Sequence, residues 1–358
     1  VIRRLTLSTL GASGFLVILV VIFFIFQSDE EAPLQVSTPI SSSQGFWEVY
    51  FSDPENPASK SYRGGPDVYL VEAIDSAQYS IDMAMYHLDL WSVRDALIYA
   101  QRRGLQVRVV TDSAYRDELE IRALQEAGIS VIEDRRPSLM HHKFLVIDRS
   151  EVWTGSMNLT VNGAYRNDNH LLRINAKEVA ENYVREFEEM FEEDTFGAAS
   201  LPDTPYPVLS IDGKQVEVLF SPEDGVLDRL LKYLRESKES VIFLAYSFTT
   251  DTLGETLLDL HQGGIDVRGV VEQSQISATG SETVRLREAG LDIQLDANPA
   301  NMHHKVFIID REIVLLGSYN FTRSAEEKND ENVLIIHDPA LAAHFLLEFE
   351  RIYRLASP

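Results

Sequence analysis

The 358-residue chain carries 32 basic and 56 acidic side chains, a formal net charge of −24, and no cysteine. Such a charge is a poor match for a protein that holds nucleic acid along a broad basic surface, although a local basic pocket is compatible with an acidic exterior. The lack of cysteine excludes disulfides, a thiol nucleophile and zinc–thiolate sites, while 45% hydrophobic residues supply enough for two cores or one large pseudo-symmetric one.

Arg3 and Arg4 precede 22 residues without a charge, Leu5 to Phe26, and Asp29, Glu30 and Glu31 follow. About 20 apolar residues span a bilayer as a helix. Positive before and negative after places the N-terminus in the cytoplasm. Residues 1–27 therefore read as a single N-terminal membrane anchor with an extracytoplasmic body. The alternative is a cleaved signal segment and a secreted protein, but no clear small-x-small cleavage site follows Phe26. Residues 28–45, with Pro33, Pro39 and three successive serines, read as a flexible linker that lets the body work at a phospholipid membrane surface.

Residues 46–196 form a first repeat of alternating strands and helices. Strands are predicted at Trp47–Phe51, Ser80–Tyr86, Gln106–Thr111 and Ile129–Glu133, and helices at Pro66–Ala77, Asp89–Arg103 and Arg116–Ala127. Asn169–Ile174 reads as a strand and Lys177–Glu193 as a helix with Val179, Tyr183, Phe187 and Met190 on its apolar stripe. Residues 197–213, with Pro202, Pro205 and Pro207, read as a Pro-rich linker. The plan then recurs over 214–358: Gly264-Ile265-Asp266-Val267-Arg268 answers Gly104-Leu105-Gln106-Val107-Arg108, and Leu286-Arg287-Glu288-Ala289-Gly290 answers Leu124-Gln125-Glu126-Ala127-Gly128. A repeat this long is a domain duplication rather than a solenoid unit.

The chemistry lies in a stretch that occurs twice. Met140-His141-His142-Lys143, an apolar run to Ile147, Asp148 and then Gly155-Ser156-Met157-Asn158 correspond to Met302-His303-His304-Lys305, a run to Ile309, Asp310 and then Gly317-Ser318-Tyr319-Asn320. Both read H-x-K-x4-D-x6-G-S-x-N, 162 residues apart. On a strand, His141 shares a face with Lys143 and His303 with Lys305, while His142 and His304 point the other way. Two imidazoles, two ammoniums and the Ser and Asn donors make a pocket for a phosphodiester: lysines hold developing charge, one ring attacks phosphorus, and the other moves the proton. Asp168 and Glu331, taken as equivalent from Asn167-Asp168-Asn169-His170 and Asp330-Glu331-Asn332-Val333, are the expected acceptors for the far ring protons. Asp148 and Asp310 close their strands, as local structure or as support for the phosphate site with Ser156 and Ser318. A lone H-x-K is a common surface tripeptide; its recurrence with all its spacings is what selects it here.

Both copies resemble the signature of the phospholipase D superfamily of phosphodiesterases, over nearly everything from about residue 46 onward. The resemblance implies an α/β fold, a pseudo-symmetric duplication of a phospholipase D-type α/β sandwich domain with mixed sheets flanked by helices, preceded here by one N-terminal transmembrane helix. It implies two-step hydrolysis through phosphohistidine, with no metal or other cofactor and no oligomer needed, since both motifs lie in one chain. It places the catalytic roles on His141, Lys143, Asn158, His303, Lys305 and Asn320, with His141 as nucleophile and His303 as acid, an order the residues alone leave open. The expected substrate is a glycerophospholipid. A DNA or RNA nuclease, a phosphatidyltransferase like the cardiolipin synthases and a non-enzymatic binding module are the alternatives, the last disfavoured because both histidines and both lysines are present.

Overall fold

The run Phe144–Ile147 is apolar at every position because both of its faces are covered. Phe144 and Val146 point into a core shared by the two repeats, while Leu145 and Ile147 point into a core of the first repeat alone. Val306 and Ile308, against Phe307 and Ile309, divide in the same way in the second repeat. Strands buried on both faces lose the polar alternation of a half-exposed sheet.

The computed structural model describes residues 40–41 and 45–356. The expected membrane anchor, residues 1–27, lies outside them. Among the described residues no helix is long and apolar enough to cross a membrane. Residues 45–356 belong to one compact unit.

The first repeat forms a sheet from β1 (Ile40–Ser41), β2 (Trp47–Phe51), β3 (Ser80–Met85), β4 (Gln106–Thr111), β5 (Ser130–Glu133), β6 (Lys143–Ile147), β7 (Glu151–Gly155) and β8 (His170–Asn175). Their order is β1-β2-β8-β7-β6-β3-β4-β5. The second repeat supplies β9 (Val208–Ile211), β10 (Lys214–Ser221), β11 (Ser240–Ala245), β12 (Asp266–Val271), β13 (Asp292–Leu295), β14 (Lys305–Ile309), β15 (Ile313–Gly317) and β16 (Glu331–His337), in the order β13-β12-β11-β14-β15-β16-β10-β9. Element for element, the two sheets have the same plan. β3-β4-β5 and β11-β12-β13 pair parallel and the other pairs antiparallel, so both sheets are mixed. Helices Lys177–Glu193 and Pro339–Leu355 bury Tyr183, Phe187, Phe345 and Phe349 in the shared core.

One edge strand of each sheet comes from a segment that reads as a linker. β9 lies inside the expected 197–213 linker and pairs with β10; β1 lies inside the expected 28–45 tether and pairs with β2. Pro202, Pro205 and Pro207 dominate the first of these segments, but Asp212 and Gly213 carry φ of 51° and 75°. Two successive left-handed residues make the tight turn of a two-residue hairpin, for which Asp-Gly is a favoured pair.

The motif aspartates sit at the far end of their strands from the histidines. The Asp148 carboxylate accepts backbone N–H bonds from Gln78, Tyr79 and Ser80 at 2.7–3.0 Å, and Asp310 does the same for Lys238, Glu239 and Ser240. Asp148 and Arg149 (φ 52° and 53°), like Asp310 and Arg311 (φ 52° and 58°), lie in the left-handed region, which costs a non-glycine residue about 1–3 kcal/mol. The three bonds offset that cost and tie the turn of each hairpin to the start of the neighbouring strand. The expectation that Asp148 and Asp310 support a phosphate is therefore corrected to a structural role. We expect Asp148→Ala to lower unfolding free energy by about 1–3 kcal/mol, the cost of orphaned backbone donors, in urea titrations. An unchanged midpoint would show that the carboxylate does not hold the turn.

Candidate active site

Each histidine strand is stitched to the opposite repeat before it begins. His141 N–H donates to the Asp330 carbonyl at 2.9 Å, and His303 N–H to the Asp168 carbonyl at 2.8 Å. Asp330 N–H returns to Leu139 and Asp168 N–H to Asn301. One residue earlier, Met140 N–H is held by Asp112 and Met302 N–H by Glu272, at the ends of β4 and β12. The pseudo-twofold relation thus puts both histidine strands at one seam.

The rings are held across that seam. His141 Nδ1 lies 2.7 Å from Glu331 Oε2, which also accepts the Ser318 hydroxyl at 2.6 Å. His303 Nδ1 lies 3.1 Å from the Ser156 carbonyl and 3.0 Å from Asn169 Oδ1, which accepts the Ser156 hydroxyl at 2.9 Å. A carboxylate and a carbonyl only accept, so both rings carry their proton on Nδ1 and turn Nε2 away from these partners. Tyr86 packs edge-on against His141 and Tyr246 against His303, each with centroids 4.7 Å apart. The same tyrosines lie under the ammoniums of Lys143 and Lys305, at 5.1 and 4.7 Å from their ring centres. Each ammonium donates to the carbonyl of its own histidine at 2.8 Å.

Burial governs the electrostatics. Lys143 and Lys305 are each 1% exposed. Desolvation depresses Lys143 to about 7, and Lys305 is driven well down by desolvation and then by Lys143. His141 and His303 are also pushed well below the usual histidine value, by burial first and by the two lysines next. Glu331 is raised to about 7 by burial, against the pull of Lys143. Asp112 and Glu272 also pull on Lys143 and Lys305 respectively, yet desolvation still drives both lysines down. A pocket of this kind favours an anion, whose arrival would let both lysines and one ring hold their protons. Asn158 and Asn320, half-buried, have no protein partner for their side-chain amides among the described residues, and Oδ1 of each is inaccessible to solvent and unpartnered.

The structure brings together His141, Lys143, Ser156, His303, Lys305, Ser318 and Glu331. It does not bring Asp168 to a ring. That carboxylate is clamped by Arg351 and by Asn298 Nδ2, the latter at 2.7 Å. The sheets pair Gly155 with Leu171 and Gly317 with Val333, so the repeat keeps its 162-residue offset and Asn169, not Asp168, stands opposite Glu331. Matching acid with acid had shifted that segment by one residue. Asn169 and the two tyrosines are the members that sequence reasoning left out; a constant offset from His141 and His303 would have found Asn169. His142 and His304 face the shared core, bonded to Glu186 and Glu348.

A family model described as "Cardiolipin synthase, PLD-like domain" matches residues 70–191 and again 230–353, more than half of the chain. The chain belongs to the phospholipase D superfamily. Over 135 residues it is 37% identical to the human mitochondrial cardiolipin hydrolase, covering 38% of this chain and 54% of that one. Over 150 residues it is 31% identical to a phospholipase D of Rickettsia typhi, covering 41% of this chain and 74% of that one. The match spans about half to three-quarters of the length of the cardiolipin hydrolases. A phosphatidylserine synthase from Haemophilus influenzae shares the fold, with a TM-score of 0.65 at 16% identity over 89% of this chain and 88% of that one.

Replacing buried ionic groups with well-packed apolar groups of similar volume is often neutral or stabilises a protein by about 1–4 kcal/mol. We expect Lys305→Met to raise the thermal midpoint while removing anion binding, measured as the midpoint shift with added orthovanadate. A lowered midpoint without vanadate would mean that the ammonium is well compensated in the free protein.

Proposed function

We propose that the chain is a phosphodiesterase of phospholipase D type that cleaves the distal phosphodiester of glycerophospholipids to phosphatidic acid and an alcohol, without a metal. The observation that carries this reading is the ring of His141 fixed by Glu331 of the other repeat, with His303 fixed reciprocally: one pocket holds two oriented imidazoles and two ammoniums. In the first step the Nε2 lone pair of His141 attacks phosphorus, the bond from phosphorus to the leaving oxygen breaks, and Nε2–H of His303 protonates that oxygen. Lys143, Lys305, Asn158 and Asn320 bind the non-bridging oxygens, where charge develops. In the second step water attacks phosphorus, gives its proton to Nε2 of His303, and the bond to His141 breaks.

Three features support lipid over nucleic acid. The net charge of −24 repels a polyanionic strand outside the pocket. The uncharged stretch Leu5–Phe26 would hold the body at a bilayer. The curated relatives carry the names cardiolipin hydrolase and phospholipase D.

The test offers the full chain, in detergent and EDTA, mixed micelles of phosphatidylcholine or cardiolipin and, separately, labelled single-stranded DNA. We expect phosphatidyl products from the wild type, undiminished by EDTA, and a loss of about a thousandfold in kcat in His141→Ala and His303→Ala, within the range for removing a proton-transfer group. Shortened DNA with intact lipid would move the substrate to nucleic acid. Turnover retained in both histidine variants would end the two-histidine mechanism.

A further inference from the structure

The two rings are oriented by chemically different partners. Glu331 and Asn169 occupy equivalent places, each receiving the hydroxyl of its repeat's motif serine. Asn169 is fully buried, and its amide cannot turn. Oδ1 accepts from Ser156 and His303, Nδ2 donates to the Gly163 carbonyl at 3.0 Å, and the backbone N–H donates to Ser52 Oγ at 2.7 Å. The Gly163 carbonyl only accepts, so it fixes which end of the amide meets the ring.

We propose that Asn169 is a positioning residue that makes His303 the dedicated proton donor, by giving its ring an uncharged acceptor where His141 has a carboxylate. The inference rests on the two-histidine reading above. A ring that attacks phosphorus gains positive charge as the Nε2–P bond forms, and the carboxylate of Glu331 beside Nδ1 stabilises that charge. A ring that gives up a proton begins positive and ends neutral. An amide oxygen holds its tautomer without stabilising the cation, so the His303 imidazolium is the stronger acid. The charged and titratable groups facing His303 agree with this. They are Lys305 from its own strand, Lys143 and His141 from the first repeat, and the Tyr246 ring, together with the Ser156 carbonyl. Among the described residues no carboxylate bonds its ring nitrogens; Glu331 is taken by His141 and Ser318, and Glu272 by the Met302 and Ser274 backbones.

The test is the pH profile of kcat/KM for the full-length wild type, Asn169→Asp and Asn169→Ala. The substrate is dihexanoyl phosphatidylcholine, or oligothymidylate if the assay above yields nucleic acid. A carboxylate beside the ring raises its basicity, and the acid must be protonated in the free enzyme. Asn169→Asp should therefore move the alkaline limb upward by about one pH unit or more, while Asn169→Ala lowers kcat at every pH. If the acidic limb moves upward instead, His303 is the attacking ring and the proposal falls. If neither limb moves, Asn169 is only structural and it also falls. Ring nitrogen NMR of the wild-type chain decides the tautomer even if Asn169→Asp does not fold. We expect a protonated Nδ1 and a bare Nε2 on neutral His303, and the reverse tautomer would overturn the assignment. A wild type inactive on both substrates would instead sink the phosphodiesterase reading, with the NMR result still standing.

Discussion

Everything at the pocket depends on a reciprocal pair of backbone bonds. His141 N–H reaches Asp330 and His303 N–H reaches Asp168, so each histidine strand is positioned by the other repeat. The next residues along the chain, Glu331 and Asn169, then meet the rings. Neither repeat contains a finished site: the first holds His141 without its carboxylate, and the second holds His303 without its amide. The shared core, with Phe144, Val146, Val306 and Ile308 packed beside Tyr183 and Phe345, supplies the apolar burial that keeps this seam closed.

That burial also sets the chemistry. Two lysines and two imidazoles sit with Glu331 in a site where desolvation is the first cause of every shift. Closing such charges inside a fold is unfavourable by itself, and the cost is relieved by an anionic ligand. The same desolvation strengthens any interaction with charge developing on phosphorus, because fixed donors replace mobile water. Stability and affinity for an anion are therefore opposed at Lys143 and Lys305.

Much of this was legible in the sequence because the repeat supplies its own control. A pattern with fixed spacings that recurs at one offset identifies His141, Lys143, His303 and Lys305 without structure. The apolar runs after them, and the helix stripe of Val179, Tyr183, Phe187 and Met190, are strong periodic signals, and all four stripe residues are buried. The failures have physical causes. Asp168 was chosen by charge, yet its carboxylate answers to Arg351, and the ring is met by a neutral amide one residue on. The edge strands β1 and β9 are short and flanked by proline-containing segments, so local composition hides pairing that only the neighbouring strands β2 and β10 dictate. The aspartates of the motif were legible as strand ends, and the three backbone N–H bonds each accepts decide between the two readings offered for them.

Duplication within one chain frees the two halves to diverge, and the divergence is concentrated around the seam. Asn169 takes the place of Glu331, and His170 that of Asn332. Beyond them, Asp330 is met by Arg136 and by Gly197 N–H, with Phe196 stacked on the Arg136 guanidinium, so the connecting segment plugs that side. On the other side Asp168 is held by Asn298 and Arg351, and a cavity of about 690 Å³ remains, walled by Tyr62, Tyr165 and Pro299. Its outer wall is the connection from β2 to the helix Asp67–Ser76. The corresponding connection, from β10 to the helix Val226–Glu236, is shorter. A homodimer built from one repeat must place the same side chains on both sides of its axis. A chain that carries both copies can give one ring a charge and the other an amide, and can plug one flank while leaving the other open. The asymmetry of the pocket is therefore a property that only the fused arrangement permits.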